Sequence, residues 1–480
     1  MWTLGPQLSE FFPSSTTHPR KNLSGIYMFP QELINRFIDE VSTVGKPSYY
    51  LPPTTRKDLQ SCSLAAKCFR LQSQRHLLAH AEFFIIRGET QSKRVLNLRE
   101  ILERNEELRQ CVIYLTIRLR AADPLNANDG VGDAGWKFHD ENLPTVINML
   151  AEIRHLNIRW EHLNVVEWDR LSEGIRTALR NTPSPHLSVL GLHRVSISPY
   201  YLVDTWKPIK EITLRCVEMI QMNMGEEGKA SENAPSIPEC RLERVNIFGL
   251  EFPLHHALND QILGGLRHFR VELYRFCPYS IRQIWNVIHI TSKSLESLDL
   301  AQCFSEYLYL TKSDTCLTDP SHLVTSIRPP FITMDCFPSL QSLAISDDII
   351  GTKAFLDTVV PFFKLENPMS TSKLENLTVN LEWIMPIGSN SSYEDDVLLP
   401  SNGWHRLDAL LTSSHYPSLR KVTIGICLSA SWDWRLGEPE RHARLWGIYR
   451  NLQSSCFPLL SCSDSIEFVF RPSTGYHTGF

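Results

Sequence analysis

Two patterns in the chain use residue types that could bind a ligand. Residues 130–135 fit G-x-G-x-x-G by letter, but a dinucleotide site needs a strand directly before it and a helix directly after it. The polar, proline-containing stretch 121–129 precedes the glycines instead, so we expect a loop. His76 and His80 are four residues apart on a predicted helix and could share a metal ion, but no Cys or carboxylate pattern completes the ligand set.

A third pattern could supply paired carboxylates for acid–base chemistry. Residues 394–396 read Glu-Asp-Asp, but they lie in a Ser/Asn-rich segment and are typical of a solvated acidic loop. The phosphate-binding G-x-x-x-x-G-K-[ST], the nucleophile elbow G-x-S-x-G and the zinc motif H-E-x-x-H do not occur. We therefore expect a protein that is not an enzyme, with no catalytic residue, no metal and no cofactor.

Composition narrows the functional classes further. The 480 residues include 48 Lys+Arg and 53 Asp+Glu, which gives a net charge of −5 and argues against a general nucleic-acid binder. The first 24 residues lack a basic start followed by an apolar run, and no apolar stretch reaches the roughly 18 residues of a membrane span. The 12 cysteines fall largely in apolar segments and are expected to be reduced and buried. The expected location is cytoplasmic, nuclear or both, with no membrane partner.

One short pattern, apolar-x-x-apolar-x-apolar, recurs from about residue 95 onward. Its last two apolar positions alternate with period two, as a half-buried strand requires. The ten copies are Val112/Leu115/Ile117, Ile153/Leu156/Ile158, Leu187/Leu190/Leu192, Ile209/Ile212/Leu214, Leu242/Val245/Ile247, Leu266/Phe269/Val271, Leu295/Leu298/Leu300, Leu340/Leu343/Ile345, Leu374/Leu377/Val379 and Leu419/Val422/Ile424.

Helical stripes lie between several copies, as at residues 168–179, 281–288, 355–360 and 404–411. A helix followed by a short strand cannot bury its apolar face alone, so neighbouring units must stack. The sequence therefore predicts an α/β protein in which residues 88–480 form an irregular leucine-rich-repeat solenoid. Parallel strands are expected on its concave face, and helices and loops on the outside.

The N-terminal part differs from the repeats in the spacing of its apolar residues. Residues 1–24 are polar and are expected to be a flexible tail. Residues 25–87 predict a small unit of three helices, the first around residues 33–38, the second around 59–69 and the third containing Leu77 and the pair Phe83-Phe84.

This N-terminal unit resembles an F-box. The residues that carry the resemblance are Phe29-Pro30-Gln31-Glu32-Leu33-Ile34 with Ile38, then Leu59-Gln60-Ser61-Cys62-Ser63-Leu64-Ala65, then Cys68-Phe69 and Arg75-His76-Leu77. They are similar to the form common in mushroom-forming (basidiomycete) fungi, in which irregular leucine-rich repeats follow the F-box. Phe29, Ala66 and Phe69 depart from the usual Leu, Val and Trp, and the stretch from Ser42 to Lys57 is longer than is typical.

The resemblance implies the substrate-recognition subunit of a Skp–cullin–F-box ubiquitin ligase. The F-box would dock a Skp-type adaptor, which connects it to a cullin–RING ligase, and the repeats would bind a protein substrate. The residues assigned to the adaptor surface by position are Pro30, Leu33, Ile34, Ile38, Leu64 and Phe69. In the alternative interpretation these residues are the core of an N-terminal cap, and the chain is an interaction scaffold with no role in ubiquitin ligation.

Substrate recognition is expected on the strands, where residues between the apolar positions face the open side. In the first six copies these positions are rich in arginine, namely Arg118, Arg159, Arg215, Arg244 and Arg270, against only Glu211 and Glu272. Guanidinium groups suit carboxylates and phosphates, so this face predicts binding of an acidic or phosphorylated segment. Simple polar cover of exposed strand positions explains the same residues and stays open as an alternative.

Overall fold

The computed structural model describes residues 30–43, 53–121, 137–162, 165–181, 186–198, 209–219, 242–249, 263–273, 278–301, 333–349, 352–365, 371–385, 402–430 and 455–475, with isolated positions at 446, 450 and 453. The chain divides into two compact units, Met1–Ile209 and Lys210–Phe480. Both units are α/β, with parallel strands and helices in the connections, so the α/β prediction is confirmed.

The first unit begins with three helices and continues into a parallel sheet. Its helices are α1 Gln31–Thr43, α2 Pro53–Ala65, α3 Lys67–Ala79, α4 Lys93–Arg104, α5 Glu106–Arg109, α6 Leu143–Met149 and α7 Glu173–Arg180. Its main strands are β1 His80–Ile86, β2 Tyr114–Arg120, β3 His155–Trp160 and β5 Val189–His193, which lie side by side in that order, all parallel. Two short strands, β4 Val166–Glu167 and β6 Val195–Ile197, pair separately.

The second unit contains a longer parallel sheet. Its paired strands, in spatial order, are β7 Glu211–Arg215, β9 Arg244–Phe248, β10 His268–Glu272, β11 Ser297–Ala301, β12 Ser342–Ile349, β13 Asn376–Met385, β14 Lys421–Ala430 and β15 Glu467–Gly475, and a short strand, β8, covers Glu218–Met219. The helices are α8 Pro278–Thr291, α9 Thr352–Phe363, α10 Asn402–Leu411 and α11 Pro458–Ser461.

All ten predicted strands are present, and the three apolar residues of every copy are buried. The strand starts are aligned by shared carbonyl groups. In the first unit the Ile113 carbonyl accepts the N–H groups of Arg154 and His155, at 2.9 and 3.1 Å. The same arrangement recurs in the second unit at the carbonyls of Lys210, Glu243, Arg267, Glu296, Gln341 and Glu375. Each of these entry carbonyls therefore sets the register of the next copy.

Five strands lie outside the ten predicted copies, namely β1, β15 and the short strands β4, β6 and β8. Residues 80–86, assigned to a third helix together with Leu77, form strand β1 instead, in register with β2. The prediction was wrong because β1 is apolar on both faces. Phe83 and Ile85 face the core, and Phe84 and Ile86 face away from it, so no polar residues mark the alternation that is typical of a strand. The second helical pattern also divides, because helix α2 ends at Ala65 and α3 begins at Lys67. Strand β15 follows the last copy of the apolar pattern.

Two buried aspartates accept hydrogen bonds from N–H groups at the starts of helices. The Asp140 carboxylate accepts the N–H groups of Asn142 and Leu143 at the start of α6, both at 2.9 Å, and that of Ser92 before α4 at 2.7 Å. In the second unit Asp408 of α10 accepts the N–H groups of Leu459 and Leu460 in α11. These carboxylates satisfy donors that a helix start leaves without partners.

Left-handed residues recur directly after strands. Arg194 follows β5 with φ 55°, and Cys216 follows β7 with φ 50°. Gly249 takes the same place after β9 with φ 64°. A glycine adopts this conformation without strain, whereas in an arginine or a cysteine the Cβ atom comes unfavourably close to the backbone carbonyl.

Two further observations concern the predictions from composition. Cys111, Cys216 and Cys427 are half-buried rather than fully buried, while Cys277 lies outside the described residues. Within the described ranges, no helix combines the length and the apolar character that crossing a membrane requires.

Candidate recognition surfaces

Helices α1, α2 and α3 pack around a small core and are connected by polar contacts. The side chains of Ile34, Ile38 and Leu59 are buried in this core. The Asp39 carboxylate of α1 lies 2.7 Å from His76 Nε2 and accepts a hydrogen bond of 2.6 Å from Gln72, both on α3. These contacts fix the relative position of the first and third helices.

The outer surface of this three-helix unit carries large apolar side chains. Leu33 is 53% exposed, Phe37 56%, Leu64 64% and Leu71 45%. Leu33 and Phe37 lie one turn apart on α1 and therefore share a face. The Phe37 ring reaches the half-buried Phe69 of α3, with 6.5 Å between the ring centroids. Among the described residues, only Trp446 and Leu459 are comparably exposed large apolar side chains elsewhere.

The expected adaptor surface needs one revision. Pro30, Leu33 and Leu64 are exposed and Phe69 is half-buried, as a docking surface requires. Ile34 and Ile38 are only 6% and 0% exposed, because their side of α1 packs into the helical core. They stabilise the unit, and Phe37 and Leu71, which the sequence analysis did not select, lie on the outer surface in their place. We call Leu33, Phe37, Leu64, Phe69 and Leu71 the helical apolar surface.

The solvent-facing side of the first unit's sheet is organised in rows across the strands. The rings of His80, Tyr114 and His155 stack at the strand starts, with centroid separations of 4.3 and 4.4 Å. Burial, together with the charges of Arg154 and His80, lowers the pKa of His155. In the next row Asn157 lies over Gly191, so that its Oδ1 is 2.9 Å from where a Gly191 Cβ would stand.

The row at the strand ends is rich in arginine. Phe84, Arg118 and Arg159 are direct neighbours on β1, β2 and β3. The guanidinium carbons of Arg94, Arg118 and Arg120 lie 5.1, 5.4 and 5.0 Å from the centroid of the Phe84 ring. A cation over an aromatic face is attracted by the ring quadrupole. We call Arg94, Arg118, Arg120 and Arg159 the arginine cluster.

Two glutamates hold part of this cluster. Glu161 binds Arg118 Nη1 at 2.8 Å and Arg120 Nη2 at 2.6 Å, and Glu82 forms an ion pair with Arg118. Burial raises the pKa of Glu161, but the hydrogen bonds from the two arginines lower it more, so its pKa lies below the ordinary value. Glu161 is therefore charged at neutral pH and orients both guanidinium groups.

The other two members of the cluster have no carboxylate partner. Among the described residues neither Arg94 nor Arg159 forms an ion pair, and the Nε of Arg159 is buried without a hydrogen-bond acceptor. Arg159 also lies directly beside Arg118 on the neighbouring strand, a pairing of like charges. These two arginines are available to an external anion.

The predicted arginines of the second unit are mostly neutralised. Arg244 lies 3.7 Å from Glu211, and Arg270 lies 3.3 Å from Asp299 and 3.7 Å from Glu272. Arg215 is exposed and forms no ion pair within the described part of the chain. The sequence analysis recognised Glu211 and Glu272 as acidic residues on this basic face. It did not include Asp299, nor Glu82 and Glu161 in the first unit.

The other candidate patterns of the sequence either form contacts within the fold or lie outside the described residues. His76 pairs with Asp39, and His80 stacks on Tyr114. The glycine pattern at 130–135 and the acidic run at 394–396 fall outside the described residues. No protein-family model matches the chain, and no curated protein matches it in sequence.

Proposed function

We propose that the chain is the substrate-recognition subunit of a Skp–cullin–F-box ubiquitin ligase. The observation that carries the proposal is the helical apolar surface, which concentrates exposed large side chains on one small unit. In this reading α1, α2 and α3 are the F-box, and the helical apolar surface docks a Skp-type adaptor. The repeats that follow form a solenoid and bind the substrate. The protein contributes no catalytic group of its own.

The physical argument rests on what an exposed apolar group costs. Several large apolar side chains exposed on one small unit mark a site that a partner covers. The helical core does not need these side chains, because Ile34, Ile38 and Leu59 already fill it. The order of the motif residues along the chain, from Pro30 to Leu77, is that of an F-box, so a Skp-type adaptor is the partner of choice.

The test is co-purification of the full chain with a Skp-type adaptor. Wild type should capture the adaptor, and Leu33→Asp and Leu64→Asp should abolish the capture, because each places a charge in a desolvated contact. The matched control is Leu459→Asp, whose parent side chain is 50% exposed and lies in the other unit. The control should bind normally.

Circular dichroism should show that all three variants are folded, since every altered side chain is exposed. A wild-type chain that never captures the adaptor would exclude the ubiquitin-ligase role. The second candidate, an interaction scaffold whose helices only cap the repeats, would then be favoured, because Ile34 and Ile38 do serve as core residues.

A further inference from the structure

We propose that the arginine cluster binds the carboxylates of an acidic, extended segment of a partner protein. The inference rests on the proposed function, because it names the class of substrate that the repeats would recognise. The binding surface is the row of Phe84, Arg118 and Arg159 together with Arg94 and Arg120, on the solvent-facing side of strands β1, β2 and β3.

Charge complementarity selects the occupant. Within the described ranges, the four guanidinium groups of the cluster are paired with two carboxylates, Glu82 and Glu161, and both carboxylates bind Arg118 or Arg120. Arg94 and Arg159 keep unpaired positive charge. An anion that bridges them would also relieve the repulsion between Arg159 and Arg118, which are neighbours in the sheet.

The cluster already shows how it binds a carboxylate. Glu161 places one oxygen on Arg118 and the other on Arg120, so one carboxylate forms a charge-assisted hydrogen bond with each of two arginines. The buried Nε of Arg159 lacks an acceptor, and buried donors normally have one. A second carboxylate, supplied by the partner, would compensate the charge of this half-buried guanidinium group. We therefore expect a carboxylate of the partner to bind Arg159 and Arg94 in the way that Glu161 binds Arg118 and Arg120.

The guanidinium groups of the arginine cluster are also partly preorganised for binding. The Phe84 ring contacts three guanidinium groups, and Glu161 and Glu82 hold Arg118 in place. Groups that are already fixed lose less side-chain entropy when a ligand binds. An extended segment of about three residues can reach both unpaired arginines, because Arg94 contacts Phe84 on β1 and Arg159 lies two strands away on β3, at about 4.8 Å per strand.

The test uses fluorescence anisotropy with the full chain and three labelled peptides. The first peptide carries four glutamates among glycine and serine, the second replaces them by glutamine, and the third by lysine. Only the glutamate peptide should bind, and its affinity should fall as salt rises, because the pairing is partly exposed. Equal binding of the glutamate and glutamine peptides would overturn the inference.

The decisive variant is Arg94→Ala combined with Arg159→Ala, which removes the unpaired charges and leaves no carboxylate without its partner. Affinity for the glutamate peptide should fall about tenfold or more. Arg159→Lys should recover part of it, since a lysine keeps the charge but not the fork. The matched control is Arg104→Ala, an arginine of the same helix α4 as Arg94 that is 77% exposed, and it should change affinity by less than about twofold.

An unchanged affinity in the double variant would overturn the inference. Binding of a phosphoserine peptide without binding of the glutamate peptide would also overturn it, in favour of phosphorylated partners. Adaptor capture is measured on the same proteins. Retained capture with no peptide binding contradicts this inference alone, and peptide binding without capture contradicts the proposed ligase role alone.

Discussion

Asp408 of helix α10 caps a helix about fifty residues further along the chain, where its Oδ1 accepts the Leu460 N–H at 2.9 Å. Its other oxygen accepts the Leu459 N–H at 2.8 Å, and the carboxylate is buried. A single side chain thus satisfies two donors at the start of α11 and connects helices α10 and α11.

We expect Asp408→Ala to lower the free energy of unfolding of the second unit by about 2 kcal/mol, because two buried N–H groups lose their acceptor. The measurement is urea unfolding together with hydrogen exchange, which should accelerate at Leu459 and Leu460. The control is Asp464→Ala, an exposed aspartate in the segment that follows α11. Unchanged exchange at Leu460 would show that the cap does not stabilise the helix.

The residues after strands β7 and β9 should respond oppositely to substitution. Cys216→Gly should raise the free energy of unfolding by about 0.5–1 kcal/mol, because glycine removes the steric cost of a φ of 50°. Gly249→Ala should lower it by about 1 kcal/mol, because alanine introduces that cost at a φ of 64°. Thermal unfolding of both variants measures the pair, and a stabilising Gly249→Ala would refute the interpretation.

The Asp39 carboxylate should make the three-helix unit sensitive to acid. Burial raises its pKa, but the hydrogen bonds from His76 and Gln72 and the charge of His76 lower it more, so its folded-state pKa lies below the ordinary 3.8. A lowered pKa stabilises the fold fully above the unfolded-state value, and this contribution is lost as the pH falls through the folded-state pKa.

Asp39→Asn should therefore unfold at a lower temperature than wild type at pH 5.5, and the difference should shrink at pH 2.5. Thermal unfolding followed by circular dichroism at both pH values measures this. Asp58→Asn is the control, since Asp58 is an exposed aspartate of α2. A difference that persists undiminished at pH 2.5 would contradict the assignment.

The contact between Asn157 and Gly191 predicts a rescue. Gly191→Ala should lower the free energy of unfolding of the first unit by about 1 kcal/mol, because the new Cβ would stand 2.9 Å from Asn157 Oδ1. Adding Asn157→Ala removes the obstructing amide, so the double variant should regain most of the loss. A double-mutant cycle measures this coupling, and simple additivity would rule it out.

Most of the sheet could be predicted from the sequence because its apolar spacing repeats. Each copy places three residues in the core, and this constraint holds even where the connections differ in length. Strand β1 escaped prediction because it directly follows α3 and is apolar on both faces. Strand β15 contains Pro472, a residue that normally argues against a strand and is tolerated here at the end of the sheet.

The recognition surfaces could be predicted only in part. The stripe Leu33, Ile34, Phe37 and Ile38 is wide, and only packing against α3 shows which half of it is covered. The neutralisation of Arg118 was missed for a different reason. Glu82 lies on the unpredicted strand, and Glu161 directly follows β3, so neither residue occupied a position that the repeat pattern marks as facing the arginines.

The entry carbonyls have a consequence for how such a chain can change over evolutionary time. Each strand start that has an entry carbonyl is specified by two N–H groups on that one preceding carbonyl, so the alignment of such a copy depends on a local contact and not on the length of the connection before it. Insertions and deletions in the connections between copies therefore leave the pairing and register of the strands unchanged. A lineage could lengthen one connection, or duplicate one copy, and acquire new binding chemistry without realigning the rest of the sheet.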